Sequence, residues 1–342
     1  MAHLFLQSKN TKLLLIHLMT ALLLVTSCKK PDHFPPPVSK IITLANGLAN
    51  PIGLEIDRYG NVWVAQGGTG HHDGKVTLIK PSGEKYDVII NLESFITEIG
   101  EVEGPSHLLL NNGILYLLGA NGKMYKADID GYKPGQLAIE GSILATEDIG
   151  AFVLAYNFIS NAHDTHPYNI TMGSDGNIYI ADAAANAIIK RSAKGTLSVL
   201  AEVPGIANPL PIGPPQLQSV PTGIIFDGQN FLVTTLIGFP FPQGTSIVYK
   251  ITMQGAVTVY QKGFTSLTDI APGGYEGYLL VEHGVAGAMG FASNTGKLIW
   301  ANGINTKTFA DALNLPVGIK QANLHTWYVT SLGDGSVLKI HY

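Results

Sequence analysis

Residues 38–342 are predicted to form an all-β domain: a six-bladed β-propeller of four-stranded antiparallel blades, its ring closed by an N-terminal strand. Three observations predict it. A strand–turn–strand pattern recurs six times along the chain. The 39 glycines punctuate a sequence rich in Val, Ile, Leu and Tyr, as suits many short strands joined by tight turns. No useful stretch keeps a helical period beyond the N-terminus, except near residues 151–162, an insertion before the third repeat.

The repeats begin at Pro51, Pro105, Pro167, Pro221, Leu267 and Pro316, separated by 54, 62, 54, 46 and 49 residues. The first reads PIGLEIDRYGNVWVAQ: an apolar strand, a turn over residues 57–61, then a second strand. Each copy turns on Gly, Asn or Asp, which tolerate the positive φ that tight hairpins need. Third strands follow at 75–80, 123–127, 187–191, 246–251, 297–301 and 336–340, and fourth strands at 85–92, 197–202 and 257–261. The sixth repeat runs out of chain after three strands. Residues 40–44 (KIITL) are predicted to supply its fourth, leaving no open edge.

The N-terminus is of a different kind. Lys9 and Lys12 precede an apolar run at 13–25 (LLLIHLMTALLLV), too short to span a bilayer, which needs about 20 residues. The pattern reads as an export signal over residues 1–27. Val25-Thr26-Ser27-Cys28 resembles the lipobox of bacterial lipoproteins, and that resemblance implies lipidation of Cys28 at the start of the mature chain. Cys28 is the one cysteine present, so no disulfide framework competes for it. Residues 28–37, with three consecutive prolines, read as a stiff tether. The expectation is a protein of the bacterial cell envelope, attached to the membrane through lipid and facing the periplasm or the cell exterior. Loss of Lys9 and Lys12 takes the 21 basic residues to 19 against 25 acidic ones, a balance of −6. No Lys/Arg cluster offsets it, which argues against nucleic acid as a partner.

Common catalytic signatures are absent: no Gly-x-Ser-x-Gly elbow, no His-Glu-x-x-His and no phosphate loop. Asp128-Ile129-Asp130-Gly131 imitates the start of a calcium loop, but its later positions do not follow, and it reads as a hairpin turn. The His71-His72-Asp73 loop reads as solvated. Aligning the repeats is more informative. Two residues past each start stand Gly53, His107, Asn169, Gly223, Asp269 and Gly318, which should ring the central channel. The glycines are expected to leave room there, with His107, Asn169 and Asp269 as the ligand-binding set. Glu103 and Asp164, with His163 and His166, precede the second and third repeats and are expected to lean over the same opening. A second ring ends the second strands: Gln66, Gly119, Asp182, Thr235, Glu282 and Ser331. Asp182 is expected to brace the following hairpin. Glu282 beside His283 is a candidate proton relay.

The repeats resemble the NHL and gluconolactonase-type six-bladed propellers. More specifically the chain resembles the ScyD/ScyE family, through GLANPIGLEID (47–57), VEGPSHLLL (102–110), HPYNITMGSDGNIYIADAAANAIIK (166–190), VPTGIIFDGQNFLVTTLIGFPFPQGTSIVYKI (220–251) and GFTSLTDIA (263–271). That family implies an exported propeller whose biochemical role is poorly defined. Gluconolactonase-type enzymes hold a divalent metal at the channel mouth, and Glu103-Gly104-Pro105 is similar to their Glu-Gly-Pro start. The resemblance therefore implies Ca2+ or another divalent cation on Glu103, Asp164, Asn169 and Asp269. The acid that completes their set has no clear counterpart, Asp269 being a substitute, and lactone hydrolysis would use the metal as Lewis acid and an acidic residue as base. Two functions follow as expectations. The leading one is a membrane-tethered scaffold that offers its top face to a small molecule or a protein, with the rigid apolar loops at 209–215 and 238–242 as contact surface. The alternative is a metal-dependent lactonase-like hydrolase, with Asp269, Glu282 and His283 as candidate catalytic residues.

Overall fold

The computed structural model describes residues 34–342; the expected signal segment and Cys28 lie outside the described residues. The chain divides into two units, Met1–Phe34 and Pro35–Tyr342, and the second is the propeller. Among the described residues no helix is long and apolar enough to cross a membrane.

Six antiparallel sheets carry the fold. From the axis outward the first blade comprises Pro51–Ile56, Val62–Gln66, Gly74–Ile79 and Lys85–Leu92, and the second Leu108–Asn111, Ile114–Leu118, Lys123–Asp128 and Ala145–Asp148. The third comprises Pro167–Met172, Ile178–Asp182, Ala187–Arg191 and Leu197–Glu202, and the fourth Pro221–Phe226, Asn230–Thr235, Ser246–Thr252 and Val257–Phe264. The fifth comprises Leu267–Gly274, Gly277–Glu282, Gly296–Ala301 and Thr306–Leu313. Pro316–Asn323, Thr326–Ser331 and Ser336–His341 make the sixth, and Lys40–Ala45 pairs antiparallel with Ser336–His341 as its outer strand. The predicted closure is therefore observed.

Two features depart from plain repetition. Ile139–Glu140 adds a parallel fifth strand to the outer edge of the first blade, covering backbone groups that would otherwise be bare. The expected helical insertion is a single short helix, Ile149–Ala155, earlier than the pattern suggests; Asp148 starts it by accepting the amide of Ala151 at 2.7 Å.

The hydrophobic core is split into six clusters, each formed where the faces of neighbouring blades meet. Alternation along a strand sends successive side chains to opposite faces, so most strands have apolar residues on both, and a blade packs on two neighbours at once. Trp300 and Trp327, 1% and 0% exposed, fill the seam between the fifth and sixth blades. Four of the six seams also have a polar latch near the axis. Ser106 donates to the Pro167 carbonyl at 3.2 Å, Thr222 to Leu267 at 2.9 Å, Thr268 to Val317 at 2.9 Å and Thr330 to Ile52 at 2.5 Å. These hydroxyls give inner-strand carbonyls a hydrogen-bond donor from the neighbouring blade.

Candidate functional site

The inner strands decide what faces the axis. In five of them the pairing skips just past the start, between Pro51 and Leu54, Pro167 and Asn169, Pro221 and Ile224, Leu267 and Asp269, and Pro316 and Ile319. Such bulges re-aim side chains, and here they do so beside the channel. The expected role of the ring glycines needs correction. A Cβ on Gly53 would stand 2.6 Å from His107 Cα, and one on Gly223 would stand 2.7 Å from Asp269 Cα. These glycines leave no room. They let neighbouring inner strands touch, and so push the polar residues of the ring together.

The outcome is a buried cluster of His107, Asn169 and Asp269, which are 4%, 6% and 6% exposed. Asn169 Nδ2 donates to Asp269 Oδ1 at 2.9 Å. The backbone amides of Ile270 and Ile319 donate to Asp269 Oδ1 and Oδ2, each at 2.9 Å. His107 Nε2 lies 3.8 Å from Asp269 Oδ2, beyond hydrogen-bond range, and neither imidazole nitrogen makes a hydrogen bond of full geometry. Burial pushes the Asp269 carboxyl up to about 7, against the pull of its amide donors and of Lys320. Burial pushes His107 down to about 3, so its ring is neutral.

This cluster heads a cavity of ≈ 780 Å³ that extends along the inner strands to the first hairpins, at Asp227 and Glu276. Its walls are mixed, with Leu109, Ile225 and Ala271 beside Thr171 and Gln321. They also carry an ion pair, Lys320 Nζ on Glu55 Oε1. A concave pocket with convergent polar groups is where a small-molecule site is expected by default.

Glu103 and Asp164 do not line this cavity. Glu103 faces His166 at 3.5 Å on the other side of the Tyr168 ring, whose centroid lies 5.9 Å from that of His166 and 4.7 Å from that of His107. Burial raises the Glu103 carboxyl, and His166 partly offsets this. Asp164 is exposed and accepts the amide of Thr165. The four residues implied as metal ligands therefore do not converge. The Asn169 amide is committed at both ends, to Asp269 and to the Ile170 amide. Among the described residues no group of three or more His, Cys, Asp or Glu side chains is placed to hold a metal ion. The donor set present does not fit a divalent cation.

The remaining candidates are apart from the cavity. Glu282 accepts the Thr265 amide at 2.8 Å, while His283 Nδ1 lies 3.0 Å from the Pro316 carbonyl and packs edge-on against Phe291. Each has its own partner, and burial raises the Glu282 carboxyl and lowers His283. Asp182 accepts from Thr165, His166 and Ala185, bracing the hairpin. Asp73 accepts from Thr69 within its own loop and from Ser94 beyond the blade's outer strand. The loops at 209–215 and 238–242 meet where Gly213 approaches Pro240. Residues 209–215 are exposed, and Phe239 is 63% exposed, while Phe241 packs on Phe291 with ring centroids 5.3 Å apart.

Solved structures of similar fold include the gluconolactonase XC5397 from Xanthomonas campestris, 10% identical with a TM-score of 0.57, covering 91% of this chain and 95% of that one. A virginiamycin B lyase from Staphylococcus aureus is 16% identical with a TM-score of 0.53, over 89% of this chain and 98% of that one. The PQQ-bound aldose sugar dehydrogenase from Streptomyces coelicolor is 15% identical with a TM-score of 0.59, over 90% and 99%. What they share with this chain is the fold. No family model and no curated protein matches it.

Proposed function

We propose that this protein is an exported, lipid-anchored propeller of the ScyD/ScyE type, a binding scaffold of the bacterial envelope that takes a small ligand into its axial cavity. The observation that carries the ligand reading is His107. A buried polar group without a full partner costs roughly 1–3 kcal/mol, and the His107 ring, at the head of a cavity, has only the Tyr168 backbone carbonyl beside it and no side-chain hydrogen bond. A ligand group that bonds there recovers that cost. Of the expected ligand set, His107 and Asp269 are the members with bonding capacity facing one gap, and Asn169 acts by holding Asp269 in place. The exposed loop at 209–215 and Phe239 beside it offer the same scaffold a surface for a protein partner.

Native mass spectrometry of protein taken from its own envelope tests the cavity. The expected result is a bound small molecule that is lost in His107→Leu. Bare chain in both samples, together with no thermal shift from a panel of sugars, lactones and amines, would sink the reading. Lactones belong in that panel because a lactonase-like hydrolase is the second reading, favoured by the shared fold with a gluconolactonase. Turnover of a lactone that survives chelation would revive it without the metal.

Attachment to the membrane rests on Cys28. Each buried methylene of an acyl chain contributes about 0.8 kcal/mol, and stable anchoring takes more than one chain. Cys28→Ala is expected to move the protein from the membrane fraction to the soluble one. Retention as firm as that of the wild type would refute the anchor.

A further inference from the structure

We propose that the axial cavity takes a compact organic cation, a primary ammonium on an apolar body, with the ammonium lodged between Asp269 and His107. This rests on the reading of the cavity as a ligand site and adds the chemistry of the ligand.

Charge comes first. The cavity walls carry two carboxylates, Glu55 and Asp269, against one ammonium, that of Lys320. Lys320 is taken up by Glu55, which leaves Asp269 with hydrogen-bond donors but no cation in contact. Its three donors are neutral N–H groups, so they solvate the charge without cancelling it. Asp227 and Glu276 add two more carboxylates where the cavity meets the first hairpins. A field of this sign admits cations and opposes anions.

Geometry comes second. The 3.8 Å between His107 Nε2 and Asp269 Oδ2 is too long for a direct bond, and a donor-rich group that entered from the cavity and displaced the packing now burying Nε2 would bond both. A neutral imidazole offers an acceptor nitrogen and a carboxylate offers oxygen, so the gap presents two acceptors to one donor centre. An ammonium has three donors and one positive charge, and bonds to charged groups contribute about twice what neutral ones do. A hydroxyl of equal size fits the space and leaves the charge of Asp269 unanswered. An anion would meet the carboxylate directly.

Shape comes third. Leu109, Ile225 and Ala271 face the space next to the cluster and offer an apolar stretch to the body of a ligand. Each CH₂ or aromatic carbon buried there adds affinity without asking for a hydrogen bond.

Isothermal titration of the whole protein at mildly alkaline pH, with benzylamine and with benzyl alcohol, tests this. The two probes have nearly the same shape and differ in charge. The expected result is benzylammonium bound at least about tenfold more tightly, near 1.4 kcal/mol, with that preference abolished in Asp269→Asn. Equal or tighter binding of the alcohol overturns the cation proposal and leaves the ligand site standing. Binding of neither probe overturns both. A preference that survives Asp269→Asn overturns the assigned position of the ammonium. If that variant does not fold, the wild-type comparison still decides the charge.

Discussion

Deleting residues 38–46 lowers the melting temperature of the whole propeller by roughly 8 °C or more, and does not merely trim a tail. The segment supplies the outer strand of the sixth blade, in register from Lys40 opposite His341 to Ala45 opposite Val337. Its loss unpairs that edge. At about 0.5–1.5 kcal/mol per hydrogen bond, a handful of ladder bonds amounts to roughly 4 kcal/mol. Val38, Leu44 and Ala45 also leave the clusters they pack against, and the bond from Lys85 to the Asn46 carbonyl goes with them. Domains of somewhat smaller size lose about 2–4 °C per kcal/mol, which gives the stated fall from the lower end of that range. The effect exceeds the count of bonds because the strand joins the two ends of the chain. Without it the sixth blade still meets the first through Tyr328 and Val337 on Leu54 and Val64 and through the Thr330 bond to Ile52, but the two chain ends are no longer joined and the ring opens there more readily. Differential scanning calorimetry reads the outcome. A permuted chain carrying the same segment after Tyr342 on a short Gly-rich linker should recover most of the loss. An unchanged melting temperature in the deletion would show that the strand is decoration.

The blades were legible because each begins with the same local physics: an apolar strand, a turn of Gly, Asn or Asp, and a second apolar strand. Leu267 begins such a unit without proline and is still found. Ala145–Asp148 is not, because its sequence ATED has no apolar alternation and becomes a strand by lying beside Lys123–Asp128. Ile139–Glu140 is missed for the same reason, being two residues held by a neighbour's edge. At the axis, equal offset from each start found His107, Asn169 and Asp269. The same pleat places the residues two further along on the channel side: Glu55, Leu109, Thr171, Ile225, Ala271 and Lys320. Glu55 and Lys320 are the charged pair in that set, so the signal for them was present. Glu103 and Asp164 precede their strands and end up outside the cavity, which spacing in the sequence alone does not reveal. The glycines show why. A missing side chain reads as space until the neighbouring strand is seen to fill it.

Relative to the wild type, Asp269→Asn gains on the order of 4 kcal/mol of stability as pH rises from about 4 to about 7. Burial holds the folded carboxyl at about 7, whereas an unfolded aspartate titrates near 3.9. Between those values the folded protein binds the extra proton, so the wild type is most stable below them and weakens as pH rises through the window. Asparagine cannot lose that proton. His107 works in the opposite sense. Its folded value of about 3 lies below the roughly 6.5 of the unfolded chain, so its contribution is complete above 6.5 and lost as pH falls toward 3. Across the shared window the two slopes, each about 1.4 kcal/mol per pH unit, oppose one another, and this pair leaves the wild type nearly flat. Asp269→Asn should therefore unmask a stability that climbs with pH, and His107→Gln one that declines. The asparagine carries a fixed penalty as well, because an amide N–H would face the Ile319 amide that now donates to Asp269. That offset is independent of pH and does not obscure the slope. The double variant lacks both groups and should be as flat as the wild type. Urea unfolding of all four proteins across the window measures each slope. An Asp269→Asn profile parallel to the wild type would mean that this carboxyl is ionised throughout and that the axis is wetter than its burial indicates. A climbing profile would mean that the axis holds a proton near neutrality, which a bound cation could displace.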